Sequence, residues 1–278
     1  MTRDISQRDR RFPMSDVITS TGRGCLEGVR GLGRITRFTV QVLRWSFGAA
    51  PRRDTLIPVA FDVGVLSLPV VLLTGAFVGM VIAVQTFYQL NKMGAENAVG
   101  MIINVSMVKE LGPVLAAVIL AGRVGGAMTA QLGTMRVTEQ IDALDAMGVN
   151  PVRHLAAPRF LVTFFLTPLL TAFSDLIGVV GGWLVSTQGL GIPSHYYWDN
   201  SARVLEPWDV YVGIVKSFIF GAIIGLAACH KGFHCEGGAE GVGRATTRAF
   251  VASFISILVS NFFLTLLFQH IYEVFVAS

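Results

Sequence analysis

The chain has 278 residues, of which 53% are hydrophobic and only 14% charged, with a net charge of +4 and a mean hydropathy of +0.60. A soluble globular domain carries about 25% charged residues, and here the deficit is concentrated: residues 63–91 and 249–272 contain no Asp, Glu, Lys or Arg. Each stretch exceeds the roughly 20 apolar residues that carry a helix across a bilayer core, which excludes a soluble enzyme or a nucleic-acid-binding domain.

Residues 1–54 form a basic arm with 11 Arg against 5 acids, so the rest of the chain is slightly acidic. Glu27, Arg30, Arg34, Arg37, Gln41 and Arg44 recur at spacings of three and four and share one helical face. Leu26, Ile35, Phe38, Val42, Trp45 and Phe47 lie elsewhere around the cylinder. This reads as a basic amphipathic helix lying in the membrane interface. Residues 55–278 form the polytopic domain. No short apolar segment precedes residue 55, so the first spanning helix is expected to act as its own insertion signal.

An all-α integral membrane fold is predicted, with spans at about 63–89, 98–122, 160–186, 210–229 and 249–272. Segments 1–54, 123–159 and 230–248 carry 11, 4 and 3 Lys+Arg, whereas loops 90–97 and 187–209 carry one each. The positive-inside rule then predicts a cytoplasmic N-terminus and a C-terminus on the outer side. Gly75 and Gly79, Gly122 and Gly126, Gly178 and Gly182, and Gly221 and Gly225 are spaced for close helix packing in lipid. Pro113 should kink the second span. No internal repeat is visible, which weighs against inverted-repeat secondary transporters.

No GxxxxGK[ST] occurs, so the chain has no P-loop for ATP, and nucleotide-driven work would need a partner. Between spans two and three, Thr138 is expected to N-cap a short helix with Ile141, Ala143, Leu144 and Met147 on its apolar side. Asp142 and Asp145 mark the other side, Gly148 is the expected stop, and Pro151 prevents continuation. Such a helix suits docking into a partner's groove, or lies on the protein's own surface; spacing alone leaves both open. Four charged residues, Lys109, Glu110, Asp175 and Lys216, fall inside spans. Such residues normally face the protein interior or a cavity. Glu110 and Lys216 sit at comparable depth and can pair. The other reading is that some of the four snorkel to the interface.

The run Lys109-Glu110-Leu111-Gly112-Pro113-Val114-Leu115 is followed by Ala121-Gly122-Arg123-Val124-Gly125, Thr138-Glu139-Gln140-Ile141 and Met147-Gly148-Val149-Asn150-Pro151. Together with Pro158-Arg159-Phe160 and Arg244-Ala245-Thr246-Thr247-Arg248, this closely resembles the MlaE-type permeases of MCE-associated ABC lipid transporters, from about residue 60 to 275. The resemblance implies a bacterial inner-membrane permease homodimer moving phospholipid or a similar amphiphile. It further implies a cytoplasmic P-loop ATPase dimer that binds the ATP and Mg, an MCE-domain ring on the outer side and, in some systems, a small STAS-type cytoplasmic subunit. No cofactor is implied for the chain itself. The 138–150 helix becomes the coupling helix, with Thr138, Glu139, Ile141, Asp142, Leu144, Asp145, Met147 and Asn150 facing the ATPase. Val84, Phe87, Tyr88 and Leu111 become candidates for lining a lipid cavity between two permeases. Family members often carry an acid where this chain has Asn261, which would leave Lys216 with one counter-charge fewer.

Cys229, His230, His234 and Cys235 cluster near the end of the fourth span at a spacing that can hold zinc, but the family brings no metal there, and none is expected. No catalytic residue is predicted either, since no nucleophile–base pair is visible. The alternative function class is an energy-independent channel or a proton-coupled secondary transporter using Glu110 and Asp175.

Overall fold

The computed structural model describes residues 14–48 and 53–275, which form helices joined by short turns, with no strand among them. Five helices are long and apolar enough to cross a membrane: Asp54–Asn91, Glu96–Val137, Val152–Gly189, Pro207–Phe233 and Gly238–Val274. All five overrun the ranges read from hydropathy. Their charged flanks, such as Asp62 and Arg136, are excluded by an apolar window, yet the backbone stays helical through them. Residues 1–13 of the basic arm and the C-terminal 276–278 lie outside the described residues, as do the side chains of Leu26 and Glu27.

The arm contains a helix, Met14–Gly48, and the chain divides into two compact units after Gln41. In the second unit, Val42 and Ser46 are buried one turn apart, and the Arg153 guanidinium stacks 5.2 Å over the Trp45 ring.

Span two touches each of the other four, and span four is the most enclosed. Ala116, Ala117, Leu120, Phe220, Ile224 and Ile257 form the centre of the core. Spans one and five are peripheral and turn Leu73, Phe77 and Val81, and Ile255, Phe262 and Phe263, outward. A helix that exposes such residues along its length is matched to lipid rather than to water. Spans one and three cross at backbone contact: a Cβ on Gly79 would collide with the Gly178 carbonyl. In lipid, association depends on this close packing rather than on water release. Gly126 has nothing within 4 Å, so its spacing from Gly122 marks no crossing in this chain.

The connections 137–152 and 233–238 lie at one end of the bundle, here called the basic end; 91–96 and 189–207 lie at the distal end. At the distal end the helix Ser194–Val204 is fastened by Tyr197. This side chain is fully buried, and its hydroxyl donates to the Val179 carbonyl (3.0 Å), with Asn104 Oδ1 at 3.2 Å. Burial pushes the Tyr197 phenol above its ordinary pKa, which keeps it a donor.

Candidate functional site

The polar site is built on span two by Pro113. A proline has no N–H for the carbonyl four residues back, here Lys109, and the helix widens into a π turn over Met107–Leu111. The freed Lys109 carbonyl accepts a hydrogen bond from Lys216 Nζ at 3.3 Å. Span four can come that close because Gly213 lies against the Val108 carbonyl, where a Cβ would clash.

Lys216 is fully buried, and all three of its ammonium protons are placed. Besides Lys109 O, they reach Glu110 Oε1 at 2.7 Å and Thr265 Oγ1 at 2.9 Å. Thr265 in turn donates to Glu110 Oε1 (3.1 Å), and Asn261 Nδ2 donates to Glu110 Oε2 (3.2 Å). Three spans therefore converge on one carboxylate. A lone charge in mid-membrane costs about 2.5–3.5 kcal/mol on insertion scales; the opposite charge and the added hydrogen bonds offset that cost.

The four charged residues do not form one network. Lys109, pointing about 100° away from its neighbour on the helix, pairs with Asp209 at 2.9 Å near the distal start of span four. Asp209 also caps that helix by accepting from the Glu206 N–H at 3.3 Å. Asp175 stands apart on span three, against Gly112, with Oδ1 buried and unbonded. Asn261 is not merely a missing acid: its amide supplies a hydrogen bond to Glu110.

The helix between spans two and three runs over Gln140–Ala146. Thr138 does not cap its start. Span two continues through Val137, so the Thr138 hydroxyl is drawn back to the Thr134 carbonyl at 2.8 Å, closing that helix instead. Glu139 makes the turn in the left-handed region (φ 61°), without a side-chain cap. Gly148 (φ 75°) ends the helix, its N–H bonded to the Asp145 carbonyl at 2.9 Å. Ile141 is buried and roots the helix, Leu144 is half-buried, and Met147 is 69% exposed. Asp142 pairs with Arg136, while Asp145 faces solvent. Asn150 Oδ1 accepts from the Arg153 N–H at 3.1 Å, capping the start of span three.

The four lipid-cavity candidates divide between two faces. Phe87 and Leu111 pack inward against Ile103, Met107 and Tyr197. Val84 and Tyr88 are exposed on the outer face of span one. Near the basic end, the His230 and His234 rings stack at 4.4 Å, and Cys229 and Cys235 are buried free thiols. No group of three or more His, Cys, Asp or Glu able to hold a metal occurs among the described residues.

The model of the family described as "Permease MlaE" matches residues 57–267. The chain belongs to the MlaE permease family. A probable ABC transporter permease protein of Rickettsia conorii is 38% identical over 91% of this permease and 98% of its own length. The intermembrane phospholipid transport system permease protein MlaE of Haemophilus influenzae is 32% identical over 89% and 95%. A chloroplastic relative, TRIGALACTOSYLDIACYLGLYCEROL 1 of Arabidopsis thaliana, is 37% identical over 82% of the permease and 65% of its own length. This is therefore a multi-pass membrane permease of an ABC transporter, not an enzyme in its own right.

Sequence reasoning missed three parts of the permease's polar machinery. Thr265 lies four residues after Asn261 on one helical face, a spacing that could have revealed it. Asp209 looked like a loop residue at the span boundary. The pairing of Arg123 with Ser67 and the Asp62 carbonyl has no local signal, since it joins segments far apart in the chain.

Proposed function

We propose that the permease moves phospholipid or a similar amphiphile across or out of a bacterial inner membrane, driven by a separate cytoplasmic ATPase dimer that holds the ATP and Mg. The working unit is a permease homodimer capped on the outer side by an MCE-domain ring and joined, in some systems, by a small STAS-type subunit on the cytoplasmic side. The basic arm lies along the inner interface, the basic end faces the cytoplasm, and the C-terminus faces outward.

The observation that carries this reading is the pair Glu110–Lys216, held in mid-span by span five, with all three Lys216 protons and both Glu110 oxygens hydrogen-bonded. A carboxylate already matched to an ammonium is poorly placed to carry protons, so a proton-coupled transporter would have to rely on Asp175 without Glu110. The pair suits a latch that a mechanical stroke breaks and re-forms. The stroke would enter through the Gln140–Ala146 helix, which offers Met147 and part of Leu144 as apolar anchors at the basic end. The phospholipid transport named for the Haemophilus relative agrees with this reading.

The test is reconstitution of the permease with its ATPase in vesicles, measuring transfer of a labelled phospholipid. Transfer should require ATP and stop with Met147→Asp. Transfer driven by a proton gradient without the ATPase would overturn the reading. Orientation is tested separately by single cysteines in intact cells. A cysteine at Ala202, exposed at the distal end, should react with an impermeant thiol reagent, and one at Asn150 should not.

A further inference from the structure

A half-open cavity of about 280 Å³ lies between spans one, two and three toward the basic end. Its lining includes Asp62 and Leu66 from span one, Arg123, Ala127 and Gln131 from span two, and Arg159 from span three. It is separate from the Glu110 site: along span two, Arg123 lies about 20 Å nearer the basic end than Glu110.

Arg159 is only 9% exposed, yet no carboxylate pairs with it among the described residues. Its Nη1 donates to the Leu155 carbonyl (3.0 Å) and its Nη2 to Gln131 Oε1 (3.3 Å), while the enclosed Nε has no partner. Neutral acceptors leave the charge itself unmatched. Arg123 uses Nη1 on Ser67 Oγ and the Asp62 carbonyl, and its other nitrogens make no hydrogen bond among the described residues. Two guanidinium groups thus line a cavity with a single carboxylate, that of Asp62.

A buried, unpaired guanidinium in a membrane protein is costly unless an anion meets it. The planar donor fork matches a phosphate best of the common anions. Drug-sized ligands fill pockets of about 300–1,000 Å³, so this cavity admits a headgroup but not a two-chain lipid. Phe61, Val65 and Leu66 are exposed on span one beside it and offer an apolar surface along which acyl chains can lie.

The geometry points to a lipid-phosphate site in which Arg159 and Arg123 hold the headgroup of a lipid from the leaflet at the basic end. The site rests on the transport reading only in taking a membrane lipid, rather than a free anion, as the bearer of the phosphate. Asp62 opposes the ligand and sets its affinity.

The test measures thermal stabilisation of the purified permease in detergent by three probes: phosphatidylglycerol, diacylglycerol with the same chains, and inorganic phosphate. Phosphatidylglycerol should raise Tm, and the other two should not. Ala127→Leu, which fills the cavity from an exposed position without removing a polar contact, should weaken phosphatidylglycerol about tenfold, as should Arg123→Gln. Asp62→Asn should tighten it several-fold, an outcome that damage to the fold cannot mimic. An unchanged response in both Ala127→Leu and Asp62→Asn would overturn the site. Equal stabilisation by diacylglycerol would remove the phosphate from it, and equal stabilisation by inorganic phosphate would remove the lipid. Binding is read without transport, so its failure alongside intact ATP-driven transfer refutes the site and leaves the function standing.

Discussion

Lys216 and Arg159 each bring a cation into the apolar body of the permease, and the structure treats them in opposite ways. Lys216 meets a carboxylate, a hydroxyl and a proline-freed carbonyl, so every proton is used. Arg159 meets only neutral oxygens and faces a cavity. A charge matched within the protein is an internal fastening whose breaking distinguishes conformations. A charge left unmatched is a site for something from outside. The same residue class thus serves two purposes, and the partner list, not the burial, separates them.

The largest effect should follow Glu110→Gln, which strands a fully buried ammonium. Loss of one partner of a buried pair costs about 3–5 kcal/mol, and a fall in the denaturation midpoint of the purified complex is the measure. Lys216→Met should cost less. Glu110 keeps Asn261 and Thr265, and its side chain is already 33% exposed. Equal losses in the two variants would contradict this asymmetry.

Asn261→Asp comes next. It replaces an amide donor 3.2 Å from Glu110 with a second carboxylate and should by itself lower thermal stability by about 1–2 kcal/mol, through like-charge repulsion and the lost hydrogen bond. In the Glu110→Gln background it should raise stability instead, by giving Lys216 a replacement counter-charge. The sign reversal is the readout.

Arg159→Met sharpens the contrast from the other side. An unmatched buried charge weakens the lipid-free fold, so its replacement by an apolar side chain should leave stability unchanged or raise it, by about 1–4 kcal/mol at most. A loss as large as that of Glu110→Gln would mean that Arg159 is structural.

The smallest changes in stability belong to the Gln140–Ala146 helix and the turn after it. Met147→Asp, on a side chain that is largely exposed, should leave stability within about 0.5 kcal/mol while abolishing co-purification of the ATPase. Ile141→Asp should unfold the local helix, because Ile141 is its buried root.

The transmembrane architecture was legible because an uncharged stretch long enough to span a bilayer has few alternatives. The pairing of Glu110 with Lys216 was legible for the same reason, since two opposite charges at one depth need each other. The start of the Gln140–Ala146 helix was misread. Thr138 carries a capping side chain, but the helix before it runs on, and the hydroxyl serves the nearer carbonyl. Asp175 was grouped with the other charges by depth alone, and depth says nothing about azimuth around a bundle. The role of Pro113 was half visible: sequence predicts a disturbed helix, whereas only the packing of Gly213 against span two reveals which side chain takes the freed carbonyl.

The central claim, that Glu110 and Lys216 act as one unit, is tested most directly by a double-mutant cycle with Glu110→Gln and Lys216→Met. Thermal stability and ATP-driven lipid transfer are scored for both single variants and for the double variant. The account predicts that the double variant is more stable than Glu110→Gln alone, with a coupling of about 1–3 kcal/mol. Additive losses in both measurements would contradict it.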